Sequence, residues 1–378
     1  MPDYTPYAAD TLVIDMVRKY AQERLAPTAA AREKAGAIEP EVVAELGELG
    51  VFGATTPAQW GGSEIDPVTY ALLLEEIAAG DGAISTMVSV HNSPTCIVLD
   101  HHGTDAQKER WLRKLATGEH VGSFGLTEPQ AGSDASNLRT RAVKRGDRYV
   151  INGAKQFISN AALPGSIVFF AVTDPSAGKR GLSCFVADKT TPGFSIVRKE
   201  EKLGQKASDT CALAFTDMEL PEDQRIGAEG EGYKIALSTL ESGRIGIAAQ
   251  SVGMARAALE FAVQYAKERT AFGQKIMDFQ AVGFRLVEAK TKLEAARQMT
   301  LHAARLKMEG KPALEAACMA KLFASEIAEA VCTAAIQTLG GYGFLADFPV
   351  ERIYRDVRVC QIYEGTSDVQ KLILQRML

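Results

Sequence analysis

The chain lacks most of the motifs that announce a metal, a membrane or a nucleic acid. None of its six cysteines, Cys96, Cys184, Cys211, Cys318, Cys332 and Cys360, stands at C-x-x-C spacing, and its five histidines form no H-E-x-x-H. No zinc ribbon or dithiol redox pair is expected, and the adjacent His101 and His102 have no partners at ligand spacing, so no metal is expected either. Scattered cysteines read as buried free thiols in a reducing compartment. No run of about 18 apolar residues occurs, so no membrane span is expected. Met1-Pro2-Asp3-Tyr4 opens neither a signal nor a transit peptide, which makes a bacterial cytoplasm or an organelle matrix the expected location. The net charge is −5 with no basic patch, which argues against a nucleic-acid partner. The G-x-G-x-x-G fingerprint is also missing. Gly227, Gly230 and Gly232 give G-x-x-G-x-G without a strand–turn–helix context, so a dinucleotide, if bound, is held in another way.

What the chain has is an ordinary globular composition whose texture changes twice. Residues 8–119 read as helical. Leu12, Ile14, Val17, Tyr20 and Ala21 approximate one apolar face, and residues 41–49 and 68–79 continue the pattern. Pro40 suits a first helical position, and Thr104 suits an N-cap for a helix over 105–115. Gly61-Gly62 and Gly80-Asp81-Gly82 separate helices. From His120, short apolar or alternating runs follow at 121–126, 148–151, 155–158, 166–172, 182–186, 194–197 and 211–215. Turn residues part them, as in a compact β module. Ala-rich helix returns over 232–269, 279–309 and 312–339, long enough for antiparallel packing. The expected class is α+β with segregated domains: N-terminal helical (1–119), middle β (120–226) and C-terminal helical (227–378).

Three segments carry chemistry. Gln361-Ile362-Tyr363-Glu364-Gly365-Thr366-Ser367-Asp368 sets one carboxylate after an apolar–aromatic pair, on a glycine hinge, before a helix start. Ser367 and Gln370 give the S-x-x-Q capping-box pattern, and Val369, Leu372 and Ile373 the apolar face of a short closing helix. Glu364 is therefore expected in a loop. A carboxylate held among apolar groups has a raised pKa and becomes a usable base; an ordinary surface glutamate is the plain alternative. In the second segment, residues 124–134, a strand runs into a loop of small and hydroxyl residues. Thr127 and Ser133 offer hydroxyls and the glycines allow close approach, although a simple polar turn has the same composition. In the third, Lys155-Gln156-Phe157-Ile158-Ser159-Asn160, an aromatic and a hydroxyl two residues apart share one side of a strand. That pair can cover a flat ring and bond its edge, or simply line a half-buried strand.

With these segments in view, the chain resembles the acyl-CoA dehydrogenase family, FAD flavoproteins that oxidise acyl-CoA thioesters to trans-2-enoyl-CoA. The resemblance covers nearly the whole chain and is nearest to short-chain (butyryl) and short/branched-chain members. It rests on F-G-L-T-E-P-x-A-G-S-D at 124–134, Gln156-Phe157-Ile158-Ser159, Arg269-x-x-Phe272-Gly273, Gln337-x-x-Gly340-Gly341 and Ile362-Tyr363-Glu364-Gly365-Thr366-Ser367. It implies a middle β-barrel, a C-terminal four-helix bundle, electron-transfer flavoprotein as electron acceptor, and a homo-oligomer, commonly a tetramer. Phe124, Leu126, Thr127 and Ser133 would line the flavin and thioester pocket. Phe157 would cover the isoalloxazine, with Ile158 and Ser159 beside it, Ser159 near flavin N5; the family often has Trp and Thr where Phe157 and Ser159 stand. Arg269, Phe272 and Gln280 would reach the FAD of a neighbouring subunit, and Gln337, Gly340 and Gly341 would meet the same cofactor. Thr366 and Asp368 would touch FAD, although many members carry Gln or Glu in place of Asp368. Ser133, Glu241, Arg244 and Gly365 would meet the substrate, Glu241 at a position that is usually Asp. Three residues apart on one helix, Glu241 and Arg244 also read simply as an ion pair.

The resemblance also locates the base. Isovaleryl-type and long-chain-type members carry it immediately before the arginine of this helix, and here that place is Gly243. Glu364 is thus the expected catalytic base. Its own N–H and a ribityl hydroxyl of FAD would hold the thioester oxygen, with the β-hydride passing to the flavin. An acyl-CoA oxidase or a desulfinase-like flavoenzyme is the alternative on the same scaffold, and a non-catalytic acyl-CoA or flavin binder is a third. Residues 87–99, including Pro94 and Cys96, are expected to shape the acyl pocket. No arginine stands at Ser93 or Pro94 to suit a dicarboxylic substrate.

Overall fold

The computed structural model describes residues 10–378, so residues 8–9 of the expected first helix lie outside it. Asp10 caps the first helix, Thr11–Tyr20, by accepting the N–H groups of Leu12 and Val13. Ile14, Val17 and Ala21 turn inward, whereas Leu12 is 80% exposed, so the apolar face is narrower than the sequence suggests. Pro40 opens the helix Pro40–Glu48, and Thr104 with Gln107 closes a full capping box.

The helix Pro67–Gly80 is buried on nearly every side. It packs against Gly232–Glu268 and Gln280–Met308, and one hydrophobic core runs through the helices of both ends of the chain. Glu75 and Glu76 of the buried helix meet cations from three other helices. Arg256 Nη2 lies 2.8 Å from Glu76, Arg297 Nε 3.0 Å from Glu75 and Arg18 Nε 3.2 Å from Glu76. Buried carboxylates need such partners, and these set the register of the helices around the later site. The C-terminal part consists of the long helices Gly232–Glu268, Gln280–Met308 and Leu314–Leu339. The short Pro349–Val357 and Ser367–Gln375 helices close against the last of these.

Between the helical parts lies an eight-stranded sheet: β1 (Ser123–Gly125), β2 (Arg141–Arg145), β3 (Arg148–Ser159), β4 (Ser166–Val172), β5 (Leu182–Asp188), β6 (Phe194–Lys199), β7 (Thr210–Pro221) and β8 (Arg225–Ile226). Its order is β6-β7-β3-β2-β4-β5-β8, with β1 parallel to β4. β4 is buried on both faces. Ile167, Phe169 and Ala171 join Leu213, Phe215 and Met218 of β7 in one core, while Val168, Phe170 and Val172 join Trp111, Leu112 and Leu115 in another. The expected barrel is thus a sheet wrapped about its own core, with one outer face laid on the N-terminal helices.

The runs at 148–151 and 155–158 form one strand, β3, whose pairing with β7 shifts register at Ile151/Gly153 and again at Lys155/Ile158. Two bulges interrupt the alternation, which is why the sequence reads as two strands. His91 ties the helices to β1. It is fully buried, and burial drives its pKa down to about 3, so the ring is neutral. Nδ1 accepts the Gly122 N–H at 2.9 Å, which leaves Nε2–H to donate to the Phe52 carbonyl at 3.1 Å.

Candidate active site

Glu364 lies in the loop before the closing helix Ser367–Gln375, as its context predicts. Glu364 and Gly365 both have left-handed backbone, φ 53° and 89°. Glycine adopts it freely; a glutamate does so only where its surroundings impose it. Here Lys321 Nζ donates to the Gly365 carbonyl at 2.7 Å, and Gln370 Nε2 donates to the same carbonyl at 2.9 Å. Tyr363 OH donates to Gln250 Oε1 at 2.9 Å, anchoring the preceding residue on the Gly232–Glu268 helix. The expected capping box is not formed. Thr366 is the cap, its Oγ1 accepting the Val369 N–H at 3.2 Å. Thr366 remains extended (ψ 162°) after the left-handed Gly365, so the helix begins one residue earlier than the S-x-x-Q pattern implies, and Gln370 turns back to the loop.

Glu364 as a residue keeps some exposure, but its Oε2 is shut off from solvent and has no hydrogen-bond partner. Burial pushes its pKa up to about 7, with Arg244 and Lys321 opposing. The carboxylate fills the space where a side chain at 243 would stand, since a Cβ there would overlap Oε2. One turn on, a Cβ at Gly246 would meet Ser89 Oγ at 3.0 Å and Leu74 Cδ1 at 3.4 Å. The cleft beside Glu364 is thus bounded by Gly243, Gly246, Ser89 and Leu74. Arg244 and Ser242 are buried here with Nε and Oγ unpartnered, and no ion pair joins Glu241 to Arg244 among the described residues. The Glu364 N–H likewise donates to no protein acceptor among the described residues.

The second segment is shaped from below by a buried ion pair. Lys155 and Glu128 are both shut off from solvent, 2.7 Å apart. Burial lowers the Lys155 pKa to about 8 against the pull of Glu128. Glu128 also accepts the backbone N–H groups of Arg139 (2.6 Å) and Thr140 (3.1 Å), which folds residues 128–140 into a fixed loop. Gln156 N–H donates to the Thr127 carbonyl at 2.9 Å instead of to β7, and this diversion makes the bulge. Phe157, at φ 60°, then projects outward and is 62% exposed, while Thr127 and Ser159 are half-buried. Phe124 and Leu126 are half-buried, Phe124 edge-on to Phe170 with ring centroids 5.2 Å apart. Ser133 is exposed. The Ile158 side chain is buried in the sheet core, which leaves its backbone to face a ligand.

Arg269, Gly340 and Gly341 do come together. With Tyr265, Tyr342 and Leu345 they line a groove of about 500 Å³, the Arg269 guanidinium 5.7 Å from the Tyr342 ring centre. Gly340 has φ 61°, and nothing lies within 4 Å of where its Cβ or that of Gly341 would stand. Gln337 lies elsewhere, in a groove of about 270 Å³ with Arg285, Glu288 and Lys292. Phe272 and Gly273 form the two-residue turn of a hairpin, Thr270–Ala271 with Gln274–Lys275, both at positive φ. Phe272 is 96% exposed, and Gln280 opens the following helix, also exposed. Thr366 spends its hydroxyl on the cap, and Asp368 faces solvent. Lys321, Gln370, the Tyr363–Gln250 bond and the Glu128–Lys155 pair were not anticipated. Lys321 had left a signal: a lone cation between the apolar runs Ala316-Ala317-Cys318-Met319-Ala320 and Leu322-Phe323-Ala324.

The three domain families of acyl-CoA dehydrogenases, N-terminal, middle and C-terminal, match residues 8–119, 123–218 and 230–378. The chain is 43% identical to an acyl-CoA dehydrogenase of Bacillus subtilis, with 96% of each chain covered. It superposes on the butyryl-CoA dehydrogenase of Megasphaera elsdenii with a TM-score of 0.95 at 40% identity, over 97% of each chain. A chain in a structure of the electron transferring flavoprotein of Acidaminococcus fermentans gives a TM-score of 0.96 at 44% identity, again over 97% of each. A buried glutamate in this cleft, in this fold and at this identity, places the chain in the acyl-CoA dehydrogenase family of flavoprotein oxidoreductases.

Proposed function

We propose that the chain oxidises the Cα–Cβ bond of a short-chain acyl-CoA to the trans-2-enoyl-CoA, with FAD as cofactor and Glu364 as base. The observation that carries this reading is the buried, unpartnered Oε2 of Glu364, with its pKa raised to about 7. A thioester α-proton is far less acidic than an ordinary carboxylic acid, so base and substrate must be brought closer. Burial strengthens the base. The free Glu364 N–H supplies a donor for the thioester oxygen as enolate charge develops; losing one such donor costs on the order of 3 kcal/mol in barrier. Arg244 and Ser242, buried with unpartnered polar atoms, are suited to the substrate, and Glu241, Ser133 and Gly365 are assigned the same role.

The residues present fit FAD. An outward Phe157 beside the Thr127 and Ser159 hydroxyls suits a flat ring, with Phe124 and Leu126 behind them and the Ile158 backbone at its edge. The open groove with Arg269, Gly340 and Gly341 suits the dinucleotide portion. Bound there, FAD would supply the hydride acceptor. The exposed Phe272, with Gln280 and Gln337 away from this groove, fits cofactor contacts made between subunits, hence a homo-oligomer, a tetramer by family habit. Thr366 and Asp368 stand at the start of the closing helix for the same cofactor. The butyryl-CoA dehydrogenase similarity supports a short acyl chain, and the electron-transferring-flavoprotein similarity supports that protein as acceptor. No helix of the described residues is long and apolar enough to cross a membrane. Similarity to bacterial and mitochondrial acyl-CoA dehydrogenases supports a bacterial cytoplasm or an organelle matrix as location.

The test is anaerobic reduction of the FAD-loaded protein by CoA esters of increasing length and branching, followed by reoxidation with electron-transfer flavoprotein or with dioxygen. Fastest reduction near butyryl-CoA and reoxidation by the flavoprotein are expected. No reduction by any acyl-CoA, or rapid peroxide release, would overturn the assignment.

A further inference from the structure

Resting on the reading of Glu364 as the base, we propose that Lys321 is a positioning residue of the reaction: its ammonium holds the Gly365 peptide and so keeps the Glu364 carboxylate and N–H in working orientation. Lys321 lies on the Leu314–Leu339 helix with its side chain fully buried among Ala317, Cys318, Ala320 and Ala324. An ammonium in such surroundings needs a polar partner, and among the described residues its one hydrogen bond is to the Gly365 carbonyl at 2.7 Å. Gly365 is the second of two left-handed residues, and its carbonyl is gripped from the other side by Gln370. Gln370 Nε2 also donates to the Glu364 carbonyl at 3.3 Å, so the Glu364–Gly365 and Gly365–Thr366 peptides are held together. Release of the Gly365 carbonyl would free ψ at Gly365 and let the turn that carries the Glu364 carboxylate and N–H shift. A methionine of similar length would fill the space equally well, so packing does not account for the charge.

The ammonium also shapes the field at the base. From the Gly232–Glu268 helix come Arg244 and Glu241; from the Leu314–Leu339 helix, Lys321 and Cys318; from the turn before the loop, Cys360 and Tyr363; from the Pro67–Gly80 helix, Tyr70, with Cys96 beyond it. Burial raises the pKa of the thiols of Cys96, Cys318 and Cys360 and the phenols of Tyr70 and Tyr363, so these stay neutral. Arg244 and Lys321 are therefore the cations that favour the ionised carboxylate. Burial draws the Lys321 pKa down to about 8, so its charge is lost as pH rises through that value.

The experiment compares Lys321→Met, Lys321→Arg and Glu364→Gln with the wild-type holoenzyme, reading kcat and KM for butyryl-CoA against pH. Infrared difference spectra of the protonated carboxyl band, assigned by its loss in Glu364→Gln, give the Glu364 titration without turnover. Lys321→Met should lower kcat at least tenfold with KM within about twofold, and move the Glu364 titration up by about one pH unit or more. Lys321→Arg should recover most of both. Wild-type kcat and an unmoved carboxyl titration in Lys321→Met, or no recovery in Lys321→Arg, would overturn the proposal. Should Lys321→Met not fold, Lys321→Gln keeps a donor for the carbonyl without the charge: it must shift the Glu364 titration up, and an unshifted titration refutes the role. If Glu364→Gln itself turns over normally, the base assignment falls and the role of Lys321 with it. An inactive Glu364→Gln beside a wild-type-like Lys321→Met removes Lys321 alone.

Discussion

Gly243→Ala separates catalysis from folding at a single atom. Gly243 lies inside the long Gly232–Glu268 helix, buried, with Glu364 Oε2 in the volume its Cβ would take and Glu364 Cδ at 2.7 Å from it. The colliding atoms belong to the free end of a flexible side chain, not to backbone. The carboxylate can therefore rotate away without moving the helix or the loop. Replacing glycine by alanine in a helix interior gains about 1 kcal/mol, and displacing the carboxylate costs a similar amount in lost contacts, so stability should change by about 1 kcal/mol at most in either direction. Activity should respond very differently. A reacting group displaced by about 1 Å loses on the order of 10²-fold in rate. Thermal unfolding and anaerobic single-turnover reduction by butyryl-CoA, measured on the same preparation, read the two effects. A wild-type reduction rate would show that the carboxylate does not work from the position beside Gly243. Outright unfolding would show that the helix cannot tolerate the contact and that the packing described is wrong.

Stability should also report the raised Glu364 pKa. Its folded value of about 7 lies above the ordinary 4.5, so folding favours the protonated form. The resulting penalty is absent below about pH 4.5, grows as pH rises to 7 and is constant above. Glu364→Gln should therefore be more stable than wild type at pH 8, by up to about 3 kcal/mol, and equal to it at pH 4 in urea titrations. Lys155→Met should cost about 3–5 kcal/mol by leaving Glu128 buried and unpaired, and adding Glu128→Gln should restore part of the loss. Chemical denaturation of the single and double variants measures this. Phe272→Ala removes an exposed side chain, so intrinsic subunit stability should change by less than about 0.5 kcal/mol, while sedimentation should show a weakened oligomer.

The parts most legible in the sequence were those in which local chemistry acts alone. Thr104 reads as an N-cap and is one, and the structure adds Gln107 to complete a capping box. The α, β, α order follows from the switch of period at His120 and its return at Glu231. Glu364 read as a loop carboxylate because glycine and a helix start follow it. Tertiary partners decided the rest. Thr366 took the cap because the left-handed Gly365 shifted the helix start by one residue. β2 escaped notice because Arg141, Lys144 and Arg145 on its exposed positions mask a strand that buries only Ala142. No local pattern shows that the helices of the two ends share one core, since the ion network of Glu75 and Glu76 joins residues far apart in the chain. Ile158, between Phe157 and Ser159, is buried in the sheet core, the side that strand alternation gives it. Lys321 and Gly365 are 44 positions apart, and only the fold makes them neighbours.

The central claim is that the Glu364 carboxylate removes the substrate α-proton. Glu364→Gln keeps the size and the backbone N–H of the residue and deletes the base alone. Loaded with FAD and mixed anaerobically with butyryl-CoA, that variant should bind the thioester and perturb the flavin spectrum, yet reduce the flavin at least about 10³-fold more slowly than wild type. Reduction at the wild-type rate would contradict the account.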